Sequence, residues 1–106
     1  MIIHSDGTIS KLADSELNTM QNAVGGYIEV VQLDAENLLV CNEEGIIRDL
    51  PYNTIASELY GSAIFGDVII MREDETGDDM RKLTDEEYAG FKAYLEETFC
   101  VGIDEV

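Results

Sequence analysis

The sequence predicts a single α+β domain in which an antiparallel sheet of about four or five strands is combined with three helices. Two observations support this prediction. Short runs of β-branched and alternating residues are separated by turns rich in Gly, Asp and Asn, which is typical of antiparallel hairpins. Other stretches place apolar residues three or four positions apart, between helix start and stop signals. The length of 106 residues fits one domain, which we expect to cover 1–106.

The chain begins with a predicted strand or small hairpin, followed by a helix. "MIIHSDGTISKL" contains two short apolar runs on either side of Asp6-Gly7, a frequent hairpin turn. In the next segment Asp14 is a candidate helix cap, and Gly25-Gly26 supplies a stop signal. We therefore predict a first helix between the Asp14 cap and Gly25-Gly26. Its apolar face consists of Ala13, Leu17, Met20 and Val24.

Residues 27–50 are predicted to form an antiparallel meander of three strands. "YIEVVQL" (27–33) alternates in polarity, "NLLVCN" returns after the turn "DAEN", and "IIRDL" (46–50) follows the turn "EEG". Pro51 then stands where a first-turn proline is favoured. This indicates a second helix ending at Gly61, with an apolar face of Tyr52, Ile55 and Leu59.

The last part of the chain combines the strongest strand signal with the best-defined helix. Within "AIFGDVIIMRE", four apolar residues run from Val68 to Met71. Thr84 and Glu87 form a capping box for a third helix. The stretch "EDETGDDM" (73–80) is predicted to be a loop between that strand and that helix. One face of the third helix is apolar, with Tyr88, Phe91, Leu95 and Phe99.

The charge of the chain is strongly acidic, with 23 Asp and Glu against 6 Lys and Arg and a formal net charge of −17. Acidic residues occur along the whole sequence, so this is a property of the domain and not of a tail. Such a domain repels nucleic acid and anionic membranes and attracts basic surfaces. We therefore expect a basic protein partner, without direct nucleic-acid binding or membrane association.

The location of the protein is suggested by its cysteines and its apolar runs. Cys41 and Cys100 lie far apart in no CxxC arrangement, so we expect buried thiols and not a disulfide. The N-terminal "MIIHSDG" lacks the basic region of a signal peptide, and no apolar run reaches the length of a membrane span. We expect a soluble cytoplasmic protein.

Motifs for catalysis are weak. His4 is the single histidine, and the sequence contains neither "GxSxG" nor a cysteine with a neighbouring base. Gly25-Gly26 follows a predicted helix, whereas a phosphate loop precedes one. We predict a non-enzymatic protein without catalytic residues and without a cofactor.

A calcium loop is the metal site that the acidic stretch most nearly matches. Asp74, Thr76 and Asp78 occupy positions 1, 3 and 5 of that pattern. Asp79 then stands at position 6, where Gly is needed for the turn, and Asp85 stands at position 12, where a bidentate Glu is needed. We therefore predict no metal site.

Imitation of nucleic acid is the leading hypothesis for the acidic residues. A DNA strand presents one phosphate every ~3.4 Å along its axis. Alternate residues of an extended chain lie roughly 6.5–7 Å apart, and helix residues i and i+4 about 6 Å apart. Carboxylates at these intervals can stand in for phosphates, although a merely solvated surface is the alternative. The predicted contact surface is Glu73, Asp74, Glu75, Asp78 and Asp79 in the loop and Asp85, Glu86, Glu96 and Glu97 on the third helix, with Glu43, Glu44 and Asp49 as a further row.

Two other functions stay open. The first is binding of an anionic nucleotide by Arg48, the one base between Lys11 and Arg72, with tyrosines beside it; such an Arg more often pairs with a local acid. The second is a plain protein-interaction module, including a homodimer through an exposed edge of the meander. The candidate ligand residues are Tyr27, Arg48, Tyr52, Asn53, Ser57 and Tyr60.

A family resemblance covers about residues 24–71. Its pattern is Gly-Gly-Tyr-Ile-Glu before a strand, a "CNEEG" turn, "LPxNxxAS…LYG" and "GDVII". With this pattern the chain resembles the small acidic domains of unknown function encoded by bacteriophages and mobile elements. For the shared residues we expect structural roles: glycines at turns, Pro51 at a helix start, and Asn53 or Ser57 on backbone groups. These residues are Gly25, Gly26, Tyr27, Leu50, Pro51, Asn53, Ser57, Tyr60, Gly61, Gly66 and Asp67.

The resemblance implies a genetic context. Small acidic proteins of such elements, acting in the bacterial host cell, are frequently anti-CRISPR or antirestriction factors that occupy the DNA-binding surface of a nuclease. Others sequester nucleotide signals of bacterial immunity. The combined hypothesis is a non-enzymatic anti-defence protein that binds a basic surface of a host nuclease, such as a Cas effector or restriction enzyme, by acidic DNA mimicry. The alternative is a sponge for an anionic nucleotide.

Overall fold

The structure, a computed structural model, describes residues 1–99. Within them an antiparallel sheet of six strands is combined with three helices, so the predicted α+β class is confirmed with one strand more than expected. In chain order the elements are β1 (Ile2–Ile3), β2 (Ile9–Ser10), α1 (Leu17–Val24), β3 (Ile28–Gln32), β4 (Asn37–Asn42), α2 (Thr54–Tyr60), β5 (Val68–Glu73), β6 (Met80–Lys82) and α3 (Asp85–Phe99).

The sheet is built around β4 and β5. The strand order is β2-β1-β5-β4-β3, and β6 also pairs with β5. β1 pairs with Val68 and Ile69, whereas β6 pairs with the later residues of the same strand. All pairs between the described strands are antiparallel. β3 therefore forms one edge of the sheet and the short β2 the other.

The core lies on both faces of this sheet. Because side chains alternate along a strand, β5 sends Ile70 to one face and Ile69 to the other, and both are fully buried. The first face packs against α2 and α3, and the second against α1. Apolar residues on both faces of β5 explain its continuous run from Val68 to Met71.

The first helix begins later than predicted. α1 starts at Leu17 and not directly after Asp14, because Asp14 does not cap it. The Asp14 carboxylate accepts the Glu16 N–H at 2.9 Å in a turn before the helix. Glu16 is the N-cap residue and makes no side-chain capping bond. Ala13 and Leu17 are exposed, so the predicted apolar face is reduced to Met20 and Val24.

The third strand of the predicted meander is absent from the described residues. The segment 46–50 curls into turns, in which the Arg48 N–H donates to the Glu44 carbonyl oxygen at 2.8 Å. The prediction was wrong because apolar "II" was taken as a strand, whereas the local backbone bonds of this segment exclude a ladder. Ile46 and Ile47 are consequently 75% and 83% exposed.

The second helix also begins later than predicted. α2 starts at Thr54, and Asn53 is its N-cap, with a side chain that accepts the Ala56 N–H at 3.0 Å. Pro51 lies two residues before the cap, outside the helix, and Tyr52 forms an isolated antiparallel bridge with Phe65. The carboxamide of Asn53 accepts a hydrogen bond from a free N–H group of the helix. Proline cannot do this, because its side chain has no acceptor.

Three predicted helix ends are confirmed. Gly25 and Gly61 end α1 and α2 in left-handed backbone, with φ of 79° and 83°. At the start of α3 the Thr84 N–H donates to Glu87 Oε1 at 2.9 Å, and the Glu87 N–H donates to Thr84 Oγ1 at 3.2 Å. This is the expected capping box. The apolar face of α3 is confirmed as well, since Tyr88 and Leu95 are buried and Phe91 and Phe99 pack against the core.

The acidic stretch 73–80 is not a simple connection to α3. The chain reverses direction between Asp74 and Asp79 and returns as β6. The Asp74 N–H donates to the Asp79 carbonyl oxygen at 2.8 Å across this turn. Gly77 adopts a φ of 75°, which the tight turn requires. The prediction missed this hairpin because β6 has three residues, too few for an alternating pattern.

The remaining structural expectations concern membranes and cysteines. None of the helices within residues 1–99 is long and apolar enough to cross a membrane. Cys41 is a buried free thiol, as predicted, and its Sγ donates to Glu29 Oε1 at 3.9 Å. Burial and the neighbouring Glu29 raise the pKa of its thiol to about 11, which makes it a poor nucleophile. Cys100 lies outside the described residues.

Candidate functional site

The turn between β5 and β6 gathers five of the predicted contact residues: Glu73, Asp74, Glu75, Asp78 and Asp79. We call this group the acidic turn. Asp74 holds the turn together, because its carboxylate accepts bonds from the Thr76 hydroxyl at 2.6 Å and the Gly77 N–H at 3.0 Å. These bonds lower its pKa, so it stays ionised. The other four side chains are exposed, and none forms an ion pair with a base of the described chain.

Two of the three bases on the same two strands form ion pairs with α3 and not with the acidic turn. Arg72 and Arg81 lie directly opposite each other in the β5–β6 ladder and point to the face that carries α3. There Arg81 makes a bidentate contact with Glu87, at 2.7 and 3.0 Å, and Arg72 reaches the same carboxylate at 3.1 Å. We call these three residues the Glu87 cluster. Arg72 also contacts Glu36 at 3.2 Å.

The Glu87 cluster is strongly bonded. The guanidinium of Arg81 and the Thr84 N–H hold the pKa of Glu87 at about 2, well below its ordinary value. The hydrogen bonds to Glu87 raise the pKa of Arg81. Bidentate contacts of this kind are the stronger class of charged hydrogen bond. The cluster therefore fixes the start of α3 against the hairpin and holds both Arg72 and Arg81 in ion pairs with Glu87.

The acids of α3 form two separate pairs instead of one row. Asp85 and Glu86 lie in the first helical turn, and Glu96 and Glu97 lie near the end. About 15 Å of helix separates Glu86 from Glu96 at 1.5 Å per residue. Asp85 lies 4.0 Å from Lys11, which partly offsets its charge. The exposed residues between the pairs are the uncharged Ala89, Gly90, Ala93 and Tyr94.

A second group of acids lies after the C-terminal end of β4. Glu43, Glu44 and Asp49 are exposed, as predicted for the meander turns, although the segment is a loop. Glu43 and Glu44 lie on the rim of a cavity of about 340 Å³ that also contacts Ile46 and Ile47. Acidic and apolar surface are thus adjacent here.

The predicted ligand residues divide between two places. Tyr27 and Arg48 line a shallow cavity of about 430 Å³ together with Gln21 and Asn22. Arg48 Nη1 donates to the Gly25 carbonyl oxygen at 2.6 Å, at the negative end of α1. A Cβ on Gly26 would lie 2.7 Å from Arg48 Nη1, so the glycine makes room for this contact.

The other predicted ligand residues are not part of that cavity. Asn53 is 1% exposed and donates to the carbonyl oxygens of Ile3 at 3.0 Å and Gly66 at 2.9 Å. Ser57 is buried and bonds both backbone groups of Ile64. Their expected structural roles are confirmed. Tyr52 and Tyr60 are exposed but do not line the Arg48 cavity.

One polar constellation was missed by sequence reasoning. His4 Nδ1 lies 2.8 Å from Asp67 Oδ2, and His4 Nε2 lies 2.8 Å from Ser10 Oγ. The order Ser–His–Asp is that of hydrolase triads. Ser10, however, is 8% exposed, and neither it nor His4 lines any cavity described for residues 1–99. Asp67 also accepts the Ser5 N–H at 2.9 Å, so the group ties the β1–β2 hairpin to the start of β5.

This constellation could not be found from spacing, because His4 and Asp67 are 63 positions apart. Its one signal was the Gly66-Asp67 pair that precedes the strong strand. Metal ligands show no comparable grouping: within the described residues, no three His, Cys, Asp or Glu side chains converge as a metal site would require.

The fold and the surface define a small acidic α+β domain with exposed carboxylates over much of its surface, four of which share the β5–β6 turn without an ion pair in the described chain. Residues 1–98 match a family described as "Domain of unknown function (DUF3846)", and the chain belongs to this family. The predicted membership of a domain-of-unknown-function family is confirmed at that level. No curated protein and no solved structure matches the chain.

Proposed function

We propose that this protein binds a basic surface of a protein partner and that the acidic turn makes the central contact. The binding surface of the partner is one that otherwise holds nucleic acid, so the carboxylates stand in for phosphates. In the setting suggested by the phage and mobile-element resemblance, the partner is a host nuclease, such as a Cas effector or restriction enzyme. The protein then acts as a non-enzymatic anti-defence factor.

The observation that supports this proposal is the separation of charge on the β5–β6 hairpin. Arg72 and Arg81 are held by Glu87 on the α3 face, whereas Glu73, Glu75, Asp78 and Asp79 remain exposed without an ion pair in the described chain. Unpaired like charges on a turn repel each other and do not stabilise the fold. A cationic partner would relieve this repulsion.

The experiment is capture from a bacterial host lysate by two variants that lose the same charge. Glu75→Gln/Asp78→Asn removes two carboxylates from the acidic turn that make no described side-chain hydrogen bond. The control variant, Glu16→Gln/Glu58→Gln, removes one exposed carboxylate at the N-cap of α1 and one within α2. We expect the turn variant to retain the partner about three- to tenfold more weakly than the wild type, and the control variant to retain it normally.

Added duplex DNA should displace the partner from the wild-type protein, because both ligands need the same basic surface. Equal capture by the two variants would contradict the role of the acidic turn. Simultaneous binding of DNA and this protein to the partner would contradict nucleic-acid mimicry, while leaving a protein-binding role for the turn.

Sequestration of an anionic nucleotide is a second candidate, supported by the shared cavity of Tyr27 and Arg48. The donation from Arg48 to the Gly25 carbonyl oxygen and the presence of Glu44 in the lining count against it, since both disfavour an anion. A thermal-shift screen with cyclic nucleotides and ADP-ribose derivatives separates the candidates. A saturable rise in Tm would favour the nucleotide, whereas binding to a basic partner alone predicts no rise.

A further inference from the structure

β3 is an edge strand whose outer backbone groups can be assigned from its register. At the two ends of the β3–β4 ladder, Glu43 N–H donates to the Tyr27 carbonyl oxygen and Leu33 N–H donates to the Asn37 carbonyl oxygen. Hydrogen-bonded pairs alternate along an antiparallel ladder, so Glu29 and Val31 bond to β4. The N–H and C=O groups of the remaining residues, Ile28, Val30 and Gln32, therefore point outward.

These outward groups form an open edge in the described part of the chain. β3 is the last strand in the sheet order, and Val30 is 42% exposed. An open edge accepts a further strand through main-chain hydrogen bonds, and neighbouring pockets then select its side chains. The edge alone does not identify an occupant.

A groove beside this edge supplies the side-chain selection. The cavity of about 340 Å³ is lined by Glu29 on β3, by the loop residues Ile46 and Ile47, and by Ile64 and Phe65 before β5. Ile46 and Ile47, two of the most exposed aliphatic side chains of the described chain, thus share a cavity with the apolar residues Ile64 and Phe65. Exposed apolar surface with a polar rim is a common feature of protein-binding sites.

The charge of the groove identifies the chemistry of the occupant. Among residues 1–99, the lining includes Glu29, Glu43 and Glu44 but no Lys or Arg. A second copy of the protein would bring the same carboxylates against each other and carries the same net charge of −17, so an isologous dimer is disfavoured. A segment with apolar side chains flanked by Lys or Arg complements both the apolar and the acidic residues of the lining.

We propose that the open edge of β3 and this groove bind an extended, basic segment of a protein partner, which adds to the sheet as a further strand. The site is separate from the acidic turn. Asn37, at one end of β4, pairs with Arg72 close to that turn, whereas Asn42, at the other end, lines the groove. Five residues of strand span about 17 Å. The two surfaces can therefore contact one partner at different points or act independently.

The test uses a defined probe, a short peptide of alternating Lys and Val residues, followed by amide chemical shifts and hydrogen exchange of the protein. We expect the largest changes at the amides of Ile28, Val30 and Gln32, with slower exchange on binding. Changes confined to the acidic turn, or peptide binding without protection of these three amides, would overturn the proposal.

Two pairs of variants sharpen the result. Glu29→Gln/Glu43→Gln should weaken peptide binding about five- to tenfold, whereas Glu73→Gln/Glu75→Gln, which loses equal charge at the acidic turn, should not. Val30→Pro, which removes one outward N–H, should weaken binding more than Val30→Ala, which keeps it. Equal losses within either pair would overturn the proposal. If Val30→Pro does not fold, the hydrogen-exchange measurement on the wild-type protein still tests the proposal. Failure of the acidic turn to bind a nuclease would leave this site unaffected.

Discussion

At the scale of single residues, several positions of the shared motif are explained by hydrogen bonds and close packing within the fold. Asn53 shows this best, because one carboxamide caps α2 and also donates to the backbone of β1 and of the segment before β5. Gly26 is explained by the close approach of Arg48. Asp67 joins His4 and the Ser5 N–H. These positions hold irregular segments against the sheet, and none of them requires a ligand.

Replacement of Asn53 tests this account. Asn53→Ala removes the cap and leaves two carbonyl oxygens without their donor, so we expect the free energy of unfolding to fall by about 2–4 kcal/mol. Asn53→Ser keeps a capping oxygen and should lose less. Urea unfolding followed by circular dichroism measures both. A loss below about 0.5 kcal/mol for Asn53→Ala would show that the carboxamide bonds contribute little.

At the scale of elements, the arrangement of α3 depends on charge as well as on packing. Tyr88 and Leu95 bury its apolar face, while the Glu87 cluster fixes its first turn to β5 and β6. The pKa of Glu87 is lowered to about 2. This interaction stabilises the fold fully above the ordinary glutamate pKa of about 4.5, and the stabilisation is lost as the pH falls from there toward about 2.

The variant Glu87→Gln should therefore be less stable than the wild type at neutral pH, by about 1–2 kcal/mol, because the carboxylate is partly solvated. The difference between the two proteins should shrink as the pH is lowered through the window from about 4.5 to 2. Thermal unfolding as a function of pH measures it, with Glu86→Gln as the exposed neighbour for comparison. A difference that is constant with pH would contradict the ion-pair explanation.

The elements also show how far sequence patterns reach. β4, β5 and α3 could be predicted because a long apolar run or a capping box fixes them locally. The segment 46–50 could not, since "IIRDL" has strand composition and only its backbone bonds to the preceding turn distinguish it. β6 was too short to show alternation. The acidic turn was predicted as a surface, but the pairing of Arg72 and Arg81 with Glu87 could not be, because it depends on contacts with α3.

At the scale of the whole molecule, the question is why a small domain tolerates a net charge of −17. Most carboxylates stay solvated, so their charges are not buried. The core on both faces of the sheet is built from apolar residues. The described bases are largely used in internal contacts, such as Lys82 with the Ala13 carbonyl oxygen at 3.3 Å. The outer surface is thus left predominantly negative, which favours rapid association with a cationic partner.

The central claim is that this negative surface replaces nucleic acid on a basic partner. The most direct measurement is the affinity of the captured partner for this protein as a function of salt concentration, with and without duplex DNA. We predict an affinity that falls at least about tenfold between low and physiological salt and that is lost in the presence of competing DNA. An affinity that is unchanged by salt, with DNA bound at the same time, would contradict the claim.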